Sequence, residues 1–434
     1  MLTSIYHPLP YATNPATYFA ALAQLEGAIL LDSGAPIAQG RYDICSALPV
    51  AQIQPETGEL GSAFLARAQR LLKQQAPASN WHDLPFSGGL LGFFNYEFRA
   101  DSPCQSPQVA RIGLYEWAVI SDHKQQKTWL MVHPHYQGSI DQLFQLLAIT
   151  ERQTTTAFNL LSPFTADITQ AEYNQKLSAI QNYILAGDCY QVNFTQRFSA
   201  SYTGDPWQAY CQLRQSCPTP FAGFVRLAEN EAIISLSPER FIFCQQRQVE
   251  TKPIKGTRPR AFDYLEDQAL ANELAFSEKD RAENLMIVDL MRNDIAKDCV
   301  IGSVKVPRLF AIESYPNVHH LVSTITGQLK PTSSVFDLFG NCFPGGSITG
   351  APKIRAMQII AELEQGERGI YCGSLFYLDN QNRFDSSICI RTLRAQNGII
   401  ECFGGGGIVL DSDIKDEYQE SLDKISILMR TLER

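Results

Sequence analysis

No stretch of this 434-residue sequence approaches the ~20 consecutive apolar residues that a membrane span requires, which argues against a membrane partner. Residues 1–15 hold neither a basic n-region nor an apolar h-region, so no secretory signal is expected. There is no C-x-x-C pair; the eleven cysteines are scattered from Cys45 to Cys402. An odd, dispersed set predicts reduced thiols in a cytoplasmic protein rather than a disulfide framework. Seven histidines occur without an H-E-x-x-H or related spacing, which argues against a zinc enzyme. Any metal is then expected to be a hard cation on carboxylates. Positive charge is also scarce. The 36 Lys and Arg stand against 45 Asp and Glu, and the resulting net charge of -9 disfavours nucleic acid as a partner. Internal repeats and low-complexity segments are missing as well.

What is present is an ordinary globular composition, 45% hydrophobic, with room for roughly two or three domains. Residues 1–153 alternate short apolar runs with turn residues and read as strands, with helices at 61–75 and 139–153. The Thr-, Ser- and Pro-rich segment 154–167 reads as a linker to a second region, 168–434. There Thr169 and Glu172 form a capping-box pattern for a helix running to about residue 186, and Ser277 caps another running to about 293. Leu285, Val288 and Arg292 are expected to mark the buried face of that second helix. Further helices are expected at 207–216, 335–340, 352–365 and 414–432, with strands at 190–198, 221–227, 232–236, 241–244, 373–378, 386–394 and 399–404. Their irregular order points to an α+β fold with mixed, mainly antiparallel β-sheets.

The chemistry centres on residues 251–260, TKPIKGTRPR, where two prolines and a glycine forbid a regular helix. Lys255 lies between Ile254 and Gly256; an apolar neighbour desolvates an amine, and a glycine lets a ligand approach. Desolvation lowers a lysine pKa and makes a nucleophile of it, although an exposed basic turn would share this composition. Glu239 ends an apolar strand in a proline-bent turn and could face a cleft. On the last helix Asp413, Glu417, Glu420 and Lys424 fall at intervals of four, three and four. They form either a solvated ion-pair face or, with Glu283 on a second helix, a carboxylate set suited to Mg2+. Gly404, Gly405, Gly406 and Gly407 read as a loop whose bare N–H groups could bind an anion. The run 343–353, FPGGSITGAPK, imitates a phosphate loop but has Ala351 and Pro352 where that loop needs Lys and Ser or Thr, so nucleotide binding is excluded. Arg391, on the strand expected at 386–394, is a second candidate carboxylate clamp.

Taken in order, residues 287–294 (IVDLMRND), 343–353, 369–373 (GIYCG) and the Gly404 run resemble the chorismate-utilising enzyme family. The likeness is dense from 168 onward and thinner before. It implies β-sheets packed as a sandwich flanked by helices. Lysine at 255 resembles the branch that aminates chorismate to 4-amino-4-deoxychorismate for 4-aminobenzoate and folate synthesis; the anthranilate-forming branch typically carries alanine there. Isochorismate and salicylate synthases carry a water-activating lysine where this chain has Gln191, which argues against water as nucleophile. The resemblance further implies Glu239 as general acid, Lys255 as nucleophile, and Mg2+ on Glu283 and Glu420 with Glu417 nearby. Substrate contacts would fall to Gln191, Thr257, His320, Ser347, Tyr371, Arg391, Gly405, Gly406 and Lys424. Without a fused glutaminase signature, ammonia is expected from a separate glutamine amidotransferase. Ser33, Gly40, Arg41, Tyr42 and Asp43, with Phe221, Ala222 and Gly223, resemble the family's L-tryptophan pocket. The rivals are an anthranilate-forming component and a non-catalytic tryptophan-binding regulatory subunit; retention of Glu239, Lys255, Glu283 and Glu420 speaks against the second.

Overall fold

The computed structural model describes residues 2–34, 40–75, 78–79, 84–148, 156–315 and 318–434. Apolar residues occupy consecutive positions along many strands, and this decides the architecture. In Gly89–Phe94, Leu90 and Phe94 join one core while Leu91 and Phe93 join another. In Trp117–Asp122, Trp117 and Val119 part in the same way from Ala118 and Ile120. Successive side chains leave a strand on opposite faces, so such sheets have two faces to cover. Two large antiparallel sheets, of thirteen and ten strands, cover one face of each by packing together. Ile29, Ile44, Ile120 and Val225 of the larger meet Leu91, Phe93, Leu375 and Tyr377 of the smaller in that shared core. Helices Pro206–Ser216 and Ile414–Leu432 cover the outer face of the larger sheet. Gly61–Leu72, Glu278–Ala296 and Val335–Cys342 cover that of the smaller. The fold is thus an α+β sandwich flanked by helices, and each fully buried Leu, Ile or Phe contributes about 1.5–3 kcal/mol to it.

Local signals in the sequence set several boundaries. The Thr169–Glu172 capping box starts helix Gln170–Leu185, Ser277 accepts from the Asp280 N–H at the start of Glu278–Ala296, and Asp413 caps Ile414–Leu432. Helix Ile140–Ala148 covers the described part of the one expected at 139–153; residues 149–153 lie outside the described residues. So do 154 and 155, while Asn159–Leu160 and Thr165–Ala166 pair with strand Gln191–Thr203. No helix among the described residues is long and apolar enough to cross a membrane.

Three expectations are corrected. The buried face of Glu278–Ala296 is Asn284, Ile287, Val288, Met291 and Ile295, with Leu285 and Arg292 outside, because the seam follows the residues three and four apart that meet the sheet. The strand expected at 386–394 is two, Phe384–Ser387 in the smaller sheet and Thr392–Gln396 in the larger, and Arg391 turns the chain between them at φ +50°. Gly404 to Gly407 are not a loop. They end strand Ile399–Ile408, and Gly404 and Gly407 pair with Gln196 and Asn193. Bare glycine lets helix Ile414–Leu432 lie directly on this strand: a β-carbon at Gly404 would stand 2.1 Å from the Ser421 carbonyl oxygen.

Gly404→Ala is therefore expected to push the last helix off the sheet at a cost of about 1–3 kcal/mol. A thermal unfolding midpoint equal to the parent's would contradict this.

Candidate active site

Lys255 belongs to strand Ile254–Pro259 at the edge of the smaller sheet. The next residue, Gly256, has φ +87°, and a β-carbon there would meet Asp280 Oδ1 at 2.8 Å, so the kink that follows the lysine requires glycine. The amine has no hydrogen-bond or ion-pair partner among the described residues. Surrounding protein desolvates it and lowers its pKa; Lys424 pushes the same way, while Glu283, Glu239 and Glu420 oppose. Across from it Gln191 is fully buried with both side-chain polar atoms unpartnered. A β-carbon on Gly407 would lie 2.8 Å from Gln191 Nε2 and 3.1 Å from Lys255 Nζ, so both heads converge on bare backbone. An unpaired buried amide is costly unless a ligand completes it.

Glu239 lies between strands Glu231–Ser237 and Arg240–Gln245, where the chain steps from the larger sheet to the smaller. Its carboxyl is 4% exposed and accepts from Ser347 Oγ at 2.9 Å. Burial raises its pKa to about 7, against opposing pulls from Ser347, Lys255 and the Ile254 backbone. Ser347 sits in the one-turn helix Gly346–Ile348 of the phosphate-loop mimic, whose product is thus a hydroxyl aimed at a carboxyl. Burial thus pushes this carboxyl and the Lys255 amine each toward its uncharged form.

Glu283, Glu417 and Glu420 project from the second and last helices of the site. Burial pushes Glu283 up, with Glu420 adding to the rise and Lys255 and Lys279 opposing. Burial also raises Glu417, which accepts from Ser412 Oγ at 2.7 Å. Burial would raise Glu420 too, but Lys424 at 2.6 Å leaves it below the usual range. The three do not all bring donor oxygens within 4.8 Å of one another, so the set is open rather than a closed cage. An all-oxygen, mutually repelling set of this kind fits Mg2+, which keeps several waters and takes few carboxylates. Lys279, 3.8 Å from Glu417, was not singled out from the sequence; its place one turn before Glu283 was the available signal.

His320 Nδ1 meets Thr257 Oγ1 at 2.8 Å, and burial, with Arg391 nearby, lowers the imidazole pKa to about 4, so it is neutral at pH 7. Tyr371 is buried and stacks on Phe403 at 5.0 Å; desolvation holds its phenol protonated. Lys424 donates to the Gly405 carbonyl at 2.9 Å, and Gly406 faces Glu417 and Lys424. A second cavity, of about 130 Å³, is walled by Ser33, Gly40, Arg41, Tyr42, Phe221 and Ala222. Asp43 stands behind that wall, accepting from Ser33 Oγ at 2.8 Å and meeting His123 Nε2 at 2.7 Å, and Gly223 packs beneath Leu375.

The family model for chorismate binding enzyme matches residues 26–430. The chain belongs to the chorismate binding enzyme family. Within it, the chain is 44% identical to "Aminodeoxychorismate synthase component 1" of Escherichia coli (strain K12), over 96% of each chain. The structure is similar to anthranilate synthase component I from Streptococcus pneumoniae TIGR4, with TM-score 0.76 and 30% identity over 90% of this chain and 92% of that one. It also shares its fold with the menaquinone-specific isochorismate synthase of Escherichia coli, at TM-score 0.78 and 19% identity over 99% of this chain and 94% of that one.

If Glu239 serves as the acid, its proton is expected to set the alkaline limb of kcat. Activity that needs the protonated carboxyl is full below pH 7 and falls as pH rises through that value. Ser347→Ala removes a hydrogen bond that holds the pKa down, so the limb is expected to move to higher pH. An unmoved limb in the pH–kcat profile would remove Glu239 from the acid role.

Proposed function

We propose that this chain aminates chorismate at C4, using ammonia, to give 4-amino-4-deoxychorismate and water. The observation that carries the reading is the desolvated, unpaired Lys255 amine placed with a carboxyl, Glu239, whose pKa is raised to about 7. Chorismate's C4 hydroxyl is too poor a leaving group to depart as hydroxide. The neutral Lys255 amine adds at C2, the ring double bond shifts, and the C4–O bond breaks as Glu239 delivers a proton, releasing water. The C2 nitrogen stays protonated as an ammonium. Ammonia adds at C4, the double bonds shift back, and the lysine leaves C2 as a neutral amine, while the new C4 ammonium returns a proton to the Glu239 carboxylate.

Gln191, with its unpaired amide, is a binding group for the substrate, and Arg391, Tyr371, Ser347 and Lys424 supply further polar contacts. Mg2+, held by Glu283 and Glu420 with Glu417 beside them, would neutralise the ring carboxylate of chorismate. Ammonia comes from a separate glutamine amidotransferase. The Ser33–Phe221 cavity is the place for L-tryptophan, its aromatic walls Tyr42 and Phe221 flanked by Arg41. The described cysteines are all unpaired, which supports a reducing, cytoplasmic setting. The alternative product, anthranilate, would require loss of pyruvate, for which an amine at 255 offers no advantage.

With chorismate, Mg2+ and ammonium, the purified chain is expected to form the 4-amino product without pyruvate, while glutamine alone supports no turnover. Glu239→Gln should lower kcat by about 10²–10⁴-fold, and Glu283→Gln and Glu420→Gln should abolish Mg2+-dependent turnover. Chain quenched with chorismate in the absence of ammonia should carry a substrate-derived mass on Lys255. Wild-type kcat in Lys255→Ala, with no adduct on the parent, would defeat the covalent route.

A further inference from the structure

The inner faces of the two sheets are apolar where they meet, but one part of that layer carries charge. Arg111 stands opposite Phe93 in the ladder of Gly89–Phe94 with Ala110–Tyr115, so the two share the inner face of the smaller sheet. Arg394 stands opposite Ile233 and shares the inner face of the larger sheet in the same way. Both arginines line a cavity of about 240 Å³, together with Phe93, Ile233, Ile370 and Glu231. It has no wall residue in common with the Ser33–Phe221 cavity, and none of the candidate site residues lines it.

The protein does not balance these charges itself. Arg111 Nη1 donates to the Leu227 carbonyl at 3.0 Å, but Nε of the same guanidinium is buried without a partner. Desolvation lowers the Arg111 pKa, with Tyr115 and Glu231 opposing. An arginine keeps its proton regardless, so the cost of burying the charge remains. Arg394 makes no hydrogen bond and no ion pair among the described residues. Glu401, opposite it in the next ladder, is engaged by Arg197 at 3.3 Å. Glu231 is the one carboxylate among the described residues of the wall. Its Oε1 accepts from the Asn397 N–H at 3.2 Å, and no ion pair joins it to either arginine. Two guanidinium groups against one carboxylate leave a positive charge unanswered.

We propose that Arg111 and Arg394 form a binding site for a small organic monocarboxylate with an apolar body. A guanidinium presents paired N–H donors that match a carboxylate, and a carboxylate held by both arginines would link one sheet to the other. Phe93, Ile233 and Ile370 supply the apolar wall for the body of the ligand, the usual partition of a pocket that binds a small organic molecule. An inorganic anion would leave that wall facing a hydrated ion. Ile370 directly precedes Tyr371, and a β-carbon on Gly369 would stand 3.5 Å from Arg394 Nη1, so an occupant would brace the segment 369–373. The site stands apart from the chemistry at Lys255.

The probe is phenylacetate, titrated calorimetrically into the full chain without Mg2+, beside phenylacetamide, which has nearly the same shape and no charge. One equivalent of phenylacetate is expected to bind, the amide at least ~10-fold more weakly, and sulfate should not displace it. Arg394→Gln removes a charge that has no partner, so the fold should be kept. It should weaken phenylacetate binding at least ~10-fold, as should Arg111→Gln, with circular dichroism unchanged. Arg391→Gln, at the candidate substrate clamp, should bind the probe as the parent does. No binding by the parent, equal binding of the amide, or displacement by sulfate would overturn the proposal. So would a folded Arg394→Gln protein that holds phenylacetate as tightly as the parent, or loss of binding in Arg391→Gln, since the probe would then sit elsewhere.

Discussion

An amine kept without a counter-ion is the constraint on which the site depends. A lysine in contact with a carboxylate would be pinned as ammonium, and one in open water would hold its proton at any pH the cell meets. Lys255 avoids both conditions. It is placed on an edge strand, surrounded by protein, and held off from Glu239, Glu283 and Glu420 so that each acts on it through space rather than by a bond. The same separation leaves Glu239 free to be governed by its own burial and by Ser347. Carboxyl and amine are thus each shifted toward the uncharged form, which two directly paired groups would not be.

The sandwich supplies that separation. Glu239 and Arg391 both sit where the chain passes from one sheet to the other, and Lys255 and Gln191 come from edge regions of different sheets. The carboxylates arrive on helices that cover opposite outer faces, Glu283 over the smaller sheet and Glu417 with Glu420 over the larger. Functional groups held on strands and helices keep their spacing better than groups on free loops.

Much of this was legible in the residues. Caps at Thr169 and Ser277 set helix starts because their side chains bond to backbone N–H groups a few positions away, a purely local matter. The α+β class followed from element order. What escaped was set by tertiary contact. Four glycines look like a loop until a helix is laid across them, and Arg391 reads as mid-strand until its two flanks are assigned to different sheets.

The glycine-bearing strand carries one more consequence. Gly407 pairs with Asn193, more than two hundred positions away, and the ladder between those strands runs for ten residue pairs. Such a pairing closes a very large loop before it returns any stabilisation, and chains built on distant pairings fold slowly. During synthesis, strand Gln191–Thr203 must wait with an unpaired edge until the glycines emerge, in a form that invites association with other chains. The bare backbone that makes room for an amine and an amide in the finished enzyme is thus also the last partner to reach a strand already made.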